Sequence, residues 1–225
     1  MKTLVNSLTC PIIAAPMAGG PSTPTLTDAA WRAGGFGFLA AGMLTPEALE
    51  RQMRATTCPY GVNVFMPHDD PASFAPLYNY AARHGLSIDP TSVDSTDGWD
   101  AKMALILRAA GEGWGPRVVS FTFGLIDAAT VAVLHNVEVE AWAMIARADA
   151  VDSAVAVGVE MQFMLDNVDA PAMYPHVNTL MGPLRKVSAA SGDSTHVAAW
   201  AGSGFRHARE GSVDAIVQNL YPRFG

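Results

Sequence analysis

"GGFGFLAAGMLTPEALERQMRATTCPYGVNVFMP", Gly34 to Pro67, places a short apolar run, a helix and a second apolar run one after another with little chain between them. The first run, Gly35 to Gly42, is apolar throughout and bounded by glycines, the pattern of a strand buried on both faces. Thr45 to Ala55 then reads as a helix, with Thr45 as N-cap, Pro46 as the first helical residue and Glu47 in the first turn, where a negative charge is favoured. Tyr60 to Pro67 is the next strand. Connections this short require a crossover helix that returns the chain to start each strand in the same direction, so the stretch is a parallel βα unit.

Upstream, "PIIAAPMAGGPSTP", Pro11 to Pro24, supplies a strand from Ile12 to Pro16 that stops on a Gly-Gly-Pro turn, followed by a helix from Leu26 to Ala33 closed by Gly34-Gly35. The first three strands start roughly 25 residues apart, close to the length of one βα unit. Downstream, a helix is expected over Pro71 to His84, a polar stretch over Ser87 to Asp100, and a helical period in "WDAKMALILRAAGEG". The best-defined later strand is Pro116 to Gly124. A helix at Asp127 to His135 and a strand at Val139 to Ile145 complete a fifth unit. "ARADAVDSAVAVGVEM" reads as a further helix entering an apolar stretch. Beyond Gln162 the rhythm changes to a loop and helix ("DNVDAPAMYPHVNTLMGPLRKVSAASGD"), then a glycine-containing loop and a terminal helix, with no further pair of buried strands. The expectation is an α/β, TIM-barrel-like fold, incomplete, with about five of the eight units of a full barrel. It forms a single domain over 1–225, with the βα units in 10–158 and a helical C-terminal segment in 163–225.

Half of the 225 residues are hydrophobic and 16% charged, which provides a sizeable core and excludes a disordered chain. The net charge of -7 and the lack of a Lys/Arg cluster exclude a nucleic-acid partner. Cys10 and Cys58 each precede a proline and read as core thiols, not as a disulfide framework or a metal site. No run approaches the ~18 apolar residues of a membrane span, and the N-terminus lacks a signal-peptide core, so a soluble cytoplasmic protein is expected.

Ligands of parallel α/β folds bind at the C-terminal ends of the strands. Those ends bring together Met17-Ala18-Gly19-Gly20, Gly42, Asn63 to Met66, Thr122 to Gly124, and Met144, a small, glycine-rich and mostly uncharged set that suits a flat aromatic ligand lying against backbone. Asn63, flanked by Val62 and Val64, must satisfy its amide either on a heterocycle or on a neighbouring strand's loop. Met17 is open to the same two readings, ligand wall or core gap-filler. Among six histidines none has metal-ligand spacing. His68, beside Asp69 and Asp70, is the only one near the predicted mouth, as a solvated loop or a base. Gly202-Ser203-Gly204 reads as a plain loop or a phosphate cradle.

Taken together, "PIIAAPMAGGPSTP", "GGFGFLAAGMLTPEAL", "YGVNVFMP", "VVSFTFG" and "WAGSGFRHARE" resemble the nitronate monooxygenase family, formerly called 2-nitropropane dioxygenases, from about Cys10 to Gly158 and from about Phe163 to Leu220. The resemblance implies an FMN-containing barrel that oxidises alkyl nitronates with O2, without a metal and without reduced nicotinamide. It implies that Ala15, Pro16, Met17, Ala18 and Gly19 lie against the flavin and that Asn63 touches it. Ser120 to Gly124 would border the site, and Trp200 to Gly204, with Gly202 and Gly204, would fold back over it.

The family's Gln-Gly-x-Glu-Ala-Gly-Gly-His motif, whose histidine is the catalytic base, does not occur, and neither do the two glycine-rich turns that hold the FMN phosphate. The catalytic residue is therefore unassigned. The sequence reads as an internally shortened member, joined near "GVEMQFMLD", Gly158 to Asp166, with roughly 90 residues missing at about 30 per unit. A shortened relative without turnover, dimerising to shield its open sheet edges, and another flavin barrel of the enoyl reductase kind stay open as alternatives.

Overall fold

A computed structural model describes residues 4–143, 157–158, 166–193, 195, 197, 200–201 and 209–220. The described residues group into two compact units, one drawn from 1–67, 96–145 and 209–225, the other from 68–95 and 146–208. No described helix is long and apolar enough to cross a membrane.

The first unit is built on five parallel strands in sequential order: β1 (Ile13–Ala14), β2 (Phe36–Ala40), β3 (Gly61–Phe65), β4 (Val118–Thr122) and β5 (Glu140–Ala143). Sequential parallel order with intervening helices is the construction of a (β/α) barrel, as the βα rhythm predicts. The helices are α1 (Pro24–Arg32), α2 (Pro46–Ala55), α4 (Trp99–Gly111) and α5 (Ala128–Asn136), with the terminal α7 (Val213–Leu220) packing on α1. Thr45 caps α2 by accepting from the Ala48 amide at 3.2 Å, and Asp127 caps α5 by accepting from Thr130 at 2.7 Å.

α1 begins two residues before its expected start, because Thr23-Pro24 repeats the Thr-Pro opening of α2. β1 is shorter than Ile12 to Pro16: only Ile13 and Ala14 find register partners, Phe36 and Gly37. β5 is likewise described only from Glu140 to Ala143.

The two faces of the sheet differ. On one, Leu39, Val62, Val64, Val119 and Phe121 pack with Leu49 and Met53 of α2, Met103, Ile106 and Ala109 of α4, and Leu134 of α5 in one continuous cluster. The opposite face is layered along the strands. Nearest the N-terminal ends, Phe38, Gly61 and Val118 stand in register, and the Phe38 ring fills the space over Gly61, where a Cβ would come within 2.4 Å of it. Leu4 and Phe36 join this apolar layer and Trp142 packs against it. The Leu4 amide donates to Glu140 Oε1 at 2.7 Å. The next layer is polar, with Asn63 opposite Ser120, and the last holds Phe65 opposite Thr122.

Asp28 of α1 is buried and ties that helix to the turn before β3. Its carboxylate accepts from the Thr57 and Cys58 amides at 3.0 Å and from the Thr57 hydroxyl at 2.5 Å. Burial pushes its pKa up, but these hydrogen bonds, with Arg32 nearby, outweigh that and hold the carboxyl below its ordinary value.

The second unit contains α3 (Ala75–Arg83), α6 (His176–Ser191) and an antiparallel pair of two-residue strands, β6 (Val157–Gly158) and β7 (Trp200–Ala201). α3 starts four residues later than Pro71: Ala72 is a bend, and Pro71, Ser73 and Phe74 carry no regular structure ahead of it. β6 lies in the apolar stretch that the helical pattern of 146–161 enters, and β7 in the glycine-containing loop before the terminal helix. A two-residue ladder carries no periodicity to read. Leu77, Tyr80 and Ala81 pack with Leu180 and Met181 as this unit's core, and Arg83 pairs with Asp169 at 2.7 Å. The expected join between Gly158 and Asp166 falls at 159–165, outside the described residues.

Candidate functional site

At the C-terminal ends of β1 to β4 the chain gathers glycine and exposed apolar side chains. After β1, Ala15 to Gly20 forms a loop in which Gly19 and Gly20 take φ of +89° and +129°, backbone that side chains rarely adopt, and nothing lies within 4 Å of the place a Gly20 Cβ would occupy. The loop is held from within: the Met17 amide donates to the buried Ser22 hydroxyl at 2.8 Å. Ala15, Met17 and Gly19 are exposed, and Pro16 and Ala18 half-buried. Sequence reasoning passed over Ser22, although its place in Pro-Ser-Thr-Pro is a turn signal.

The loop after β2 meets this one, with the Met43 methyl 3.8 Å from the Cβ position of Gly19. Gly42 leaves room for the Phe65 ring, which a Cβ there would approach to 2.4 Å. Phe65 in turn packs edge-on against Phe123, the first residue after β4, with ring centroids 4.9 Å apart. Gly124 leaves room for Met66, 3.0 Å from its Cβ position. Met17, Met43, Phe123 and Leu125 are all exposed, so the strand ends present an apolar rim.

Beneath the rim, Asn63 is buried and its Nδ2 reaches Ser120 Oγ at 2.9 Å, Thr122 Oγ1 at 3.0 Å and the Ser120 carbonyl at 3.2 Å. Its amide nitrogen is thus bonded to the neighbouring strand β4 itself.

Three of the described non-glycine residues with positive φ stand around this rim: Met43 (64°), Phe123 (73°) and Asp97 (54°). Such strain collects where surroundings impose a conformation. Asp97, just before α4, accepts from the Met43 amide at 2.9 Å and from the buried Lys102 Nζ at 2.7 Å. The sequence held no signal for Lys102, which sits inside an otherwise ordinary helical period. Asp97 is engaged in this way, and Asp127 serves as the α5 cap.

Of the residues read from the sequence, Ala15, Pro16, Met17, Ala18 and Gly19 follow β1 and Gly124 follows β4, while Asn63 and Ser120 stand opposite each other in the middle of β3 and β4. Gly202, Gly204 and Met144 lie outside the described residues. His68 belongs to the second unit; it is half-buried, its ring edge-on to Tyr174, instead of standing in a solvated loop. Among the described residues no group of three His, Cys, Asp or Glu side chains is placed to hold a metal ion.

A probable nitronate monooxygenase of Bacillus subtilis is 49% identical over 65 residues, covering 27% of this chain and 19% of that protein. A nitronate monooxygenase of Paraburkholderia phytofirmans is 30% identical over 169 residues, covering 67% of this chain and 45% of its own length. The chain thus spans less than half the length of the curated relatives it matches. A crystal structure of nitroalkane oxidase from Streptomyces ansochromogenes superposes with a TM-score of 0.79 over 96% of each chain, at 24% identity, a likeness of fold. The sequence profile of the nitronate monooxygenase family matches residues 2–168, about three quarters of the chain, and with the ordered strand-end motifs this makes the protein a member of the nitronate monooxygenase family.

Proposed function

We propose that the chain is an FMN-dependent oxidoreductase that oxidises alkyl nitronates with O2. The observation that carries this reading is the rim at the strand ends: two positive-φ glycines open to solvent beside exposed Met17, Met43 and Phe123, over the Asn63–Ser120–Thr122 layer. A flat, largely apolar ring system with polar edges fits this chemistry. Met17 to Gly19 would take its face and Phe123 and Gly124 its border, with Asn63 and Ser120 below as hydrogen-bonding groups. When bound, the flavin supplies the capacity to accept electrons from the substrate and pass them to O2.

The chain's own residues do the rest. The apolar rim excludes water and favours a substrate with an alkyl chain. A nitronate is already the conjugate base of its nitroalkane, so its oxidation needs no proton abstracted from carbon. That suits a chain in which the Gly-Gly-His motif does not occur. The same reading includes residues 1–225 acting as one functional domain, a homodimer, and a cytoplasmic location in which free Cys10 and Cys58 stay reduced.

Purified protein titrated with FMN, followed by O2 consumption with an alkyl nitronate and with reduced nicotinamide, tests the proposal. A bound-flavin spectrum with nitronate-dependent O2 uptake supports it. Protein that stays colourless with added FMN overturns it in favour of the relative without turnover, a reading that the missing Gly-Gly-His motif supports. Nicotinamide-driven uptake alone would point to an enoyl reductase-like barrel.

A further inference from the structure

The Asp97 carboxylate has no part in capping the helix it precedes. The N-cap of α4 is Gly98, which has no side-chain cap bond. Both carboxylate oxygens are engaged elsewhere: Oδ1 accepts from the Met43 amide at 2.9 Å and Oδ2 from Lys102 Nζ at 2.7 Å. Lys102 is 1% exposed, with its Cε 3.7 Å from the Cβ position of Gly98 and the Pro46 ring within 4.0 Å of the same point. A buried ammonium is a costly way to fill space that an apolar side chain of similar volume would fill as well. Its effect here is to fix the orientation of Asp97, which itself takes φ +54°, and so to hold Met43 at φ +64°. Met43 is exposed in spite of its apolar side chain, and its methyl lies next to Gly19.

We propose that Asp97, anchored by Lys102, is a positioning residue for the ligand face: through the Met43 backbone it holds the Met43 thioether beside Gly19 as the wall joining the β1 and β2 loops. It rests on the flavin reading only for what that wall touches.

The test uses the full chain labelled with 13C at the methionine methyls, without ligand, and then riboflavin as a probe of the ring alone. In Asp97→Ala the Met43 methyl resonance, assigned with Met43→Ala, shifts and broadens, while those of core Met53 and Met103 stay in place. Riboflavin binding weakens by on the order of tenfold, the size expected when one strained backbone position is released. Met43→Gly, which takes a positive φ without strain but lacks the wall, binds as weakly, and adding Asp97→Ala to it weakens binding no further. A purely structural Asp97 would instead lower the melting temperature with additive effects on binding. Lys102→Met, which keeps the acceptor for Met43 and removes its anchor, broadens the same methyl and serves if Asp97→Ala fails to fold. An unmoved Met43 methyl in folded variants, or additive losses in the double variant, overturns the proposal. If the unmutated chain does not take up riboflavin, the flavin reading falls and the methyl resonance still decides the role of Asp97.

Discussion

Asn63 and Ser120 stand opposite each other in the β3–β4 register, and the Asn63 amide donates to the Ser120 hydroxyl at 2.9 Å, both side chains buried. A buried polar pair of this kind costs little while both partners remain and much more when one is removed. Asn63→Ala takes the amide partner from the buried Ser120 hydroxyl and lowers stability by about 1–3 kcal/mol in urea melts. Ser120→Ala leaves Asn63 the Thr122 hydroxyl and the main-chain carbonyl, and costs about 0.5–1.5 kcal/mol, the net worth of one hydrogen bond. Equal losses from the two would show that Asn63 does not hold the layer together.

Two glycines separate packing from site. A Cβ on Gly37 meets the Thr27 backbone, with Cα at 2.6 Å and the carbonyl oxygen at 2.9 Å, and α1 cannot yield without leaving the sheet. Gly37→Ala is expected to cost about 1–3 kcal/mol or more. A Cβ on Gly42 meets only the tip of the half-buried Phe65 ring. Gly42→Ala is expected to leave the melting temperature nearly unchanged but to move Phe65 against Phe123, which a nuclear Overhauser comparison of the two rings would detect.

Asp28 makes stability depend on acid. Its folded-state pKa lies below the ordinary 3.8, so the unfolded chain binds the proton first as pH falls. The stabilisation is complete above that ordinary value and is lost as pH drops from it through the folded pKa. Asp28→Asn should therefore flatten the fall in melting temperature below about pH 4 and be less stable at neutral pH, since an amide satisfies fewer of the Thr57 and Cys58 donors. An unchanged acid limb would remove Asp28 as its source.

The proposed reaction distinguishes two forms of one substrate. With the Gly-Gly-His motif absent from the sequence, turnover is expected with preformed nitronate and to be lower by roughly 10²–10⁴-fold with the neutral nitroalkane, the usual worth of general-base assistance. Comparable rates with freshly dissolved nitroalkane and with nitronate would reveal a base among the residues beyond those described.

Local signals were legible where the chemistry is local. Thr45-Pro46-Glu47 and Asp127 name their own helix starts, and the glycine-bounded run from Gly35 to Gly42 names a buried strand. Membership of the nitronate monooxygenase family and the position of Met17 to Gly20 after the first strand were also readable. What the sequence did not carry is pairing across distance. Asn63 and Ser120 were each visible as candidates, but their bond to each other depends on register. Lys102 looks like any lysine in a helix until Asp97 is brought beside it. Of the two helices between β3 and β4, α4 and not α3 joins the core of the sheet, a choice made by tertiary packing that both amphipathic patterns permit.

The bond from the Leu4 amide to Glu140 spans 136 positions of chain. A contact of such long range forms only after most of the loop entropy between its ends has been given up, so it belongs to the end of folding. During synthesis, Phe36 and Phe38 are made long before β5, and the apolar layer that Leu4 and Trp142 finish stays open until Glu140 has emerged. The same few residues that close the N-terminal end of the sheet therefore set the interval during which this apolar layer of the growing chain stays uncovered.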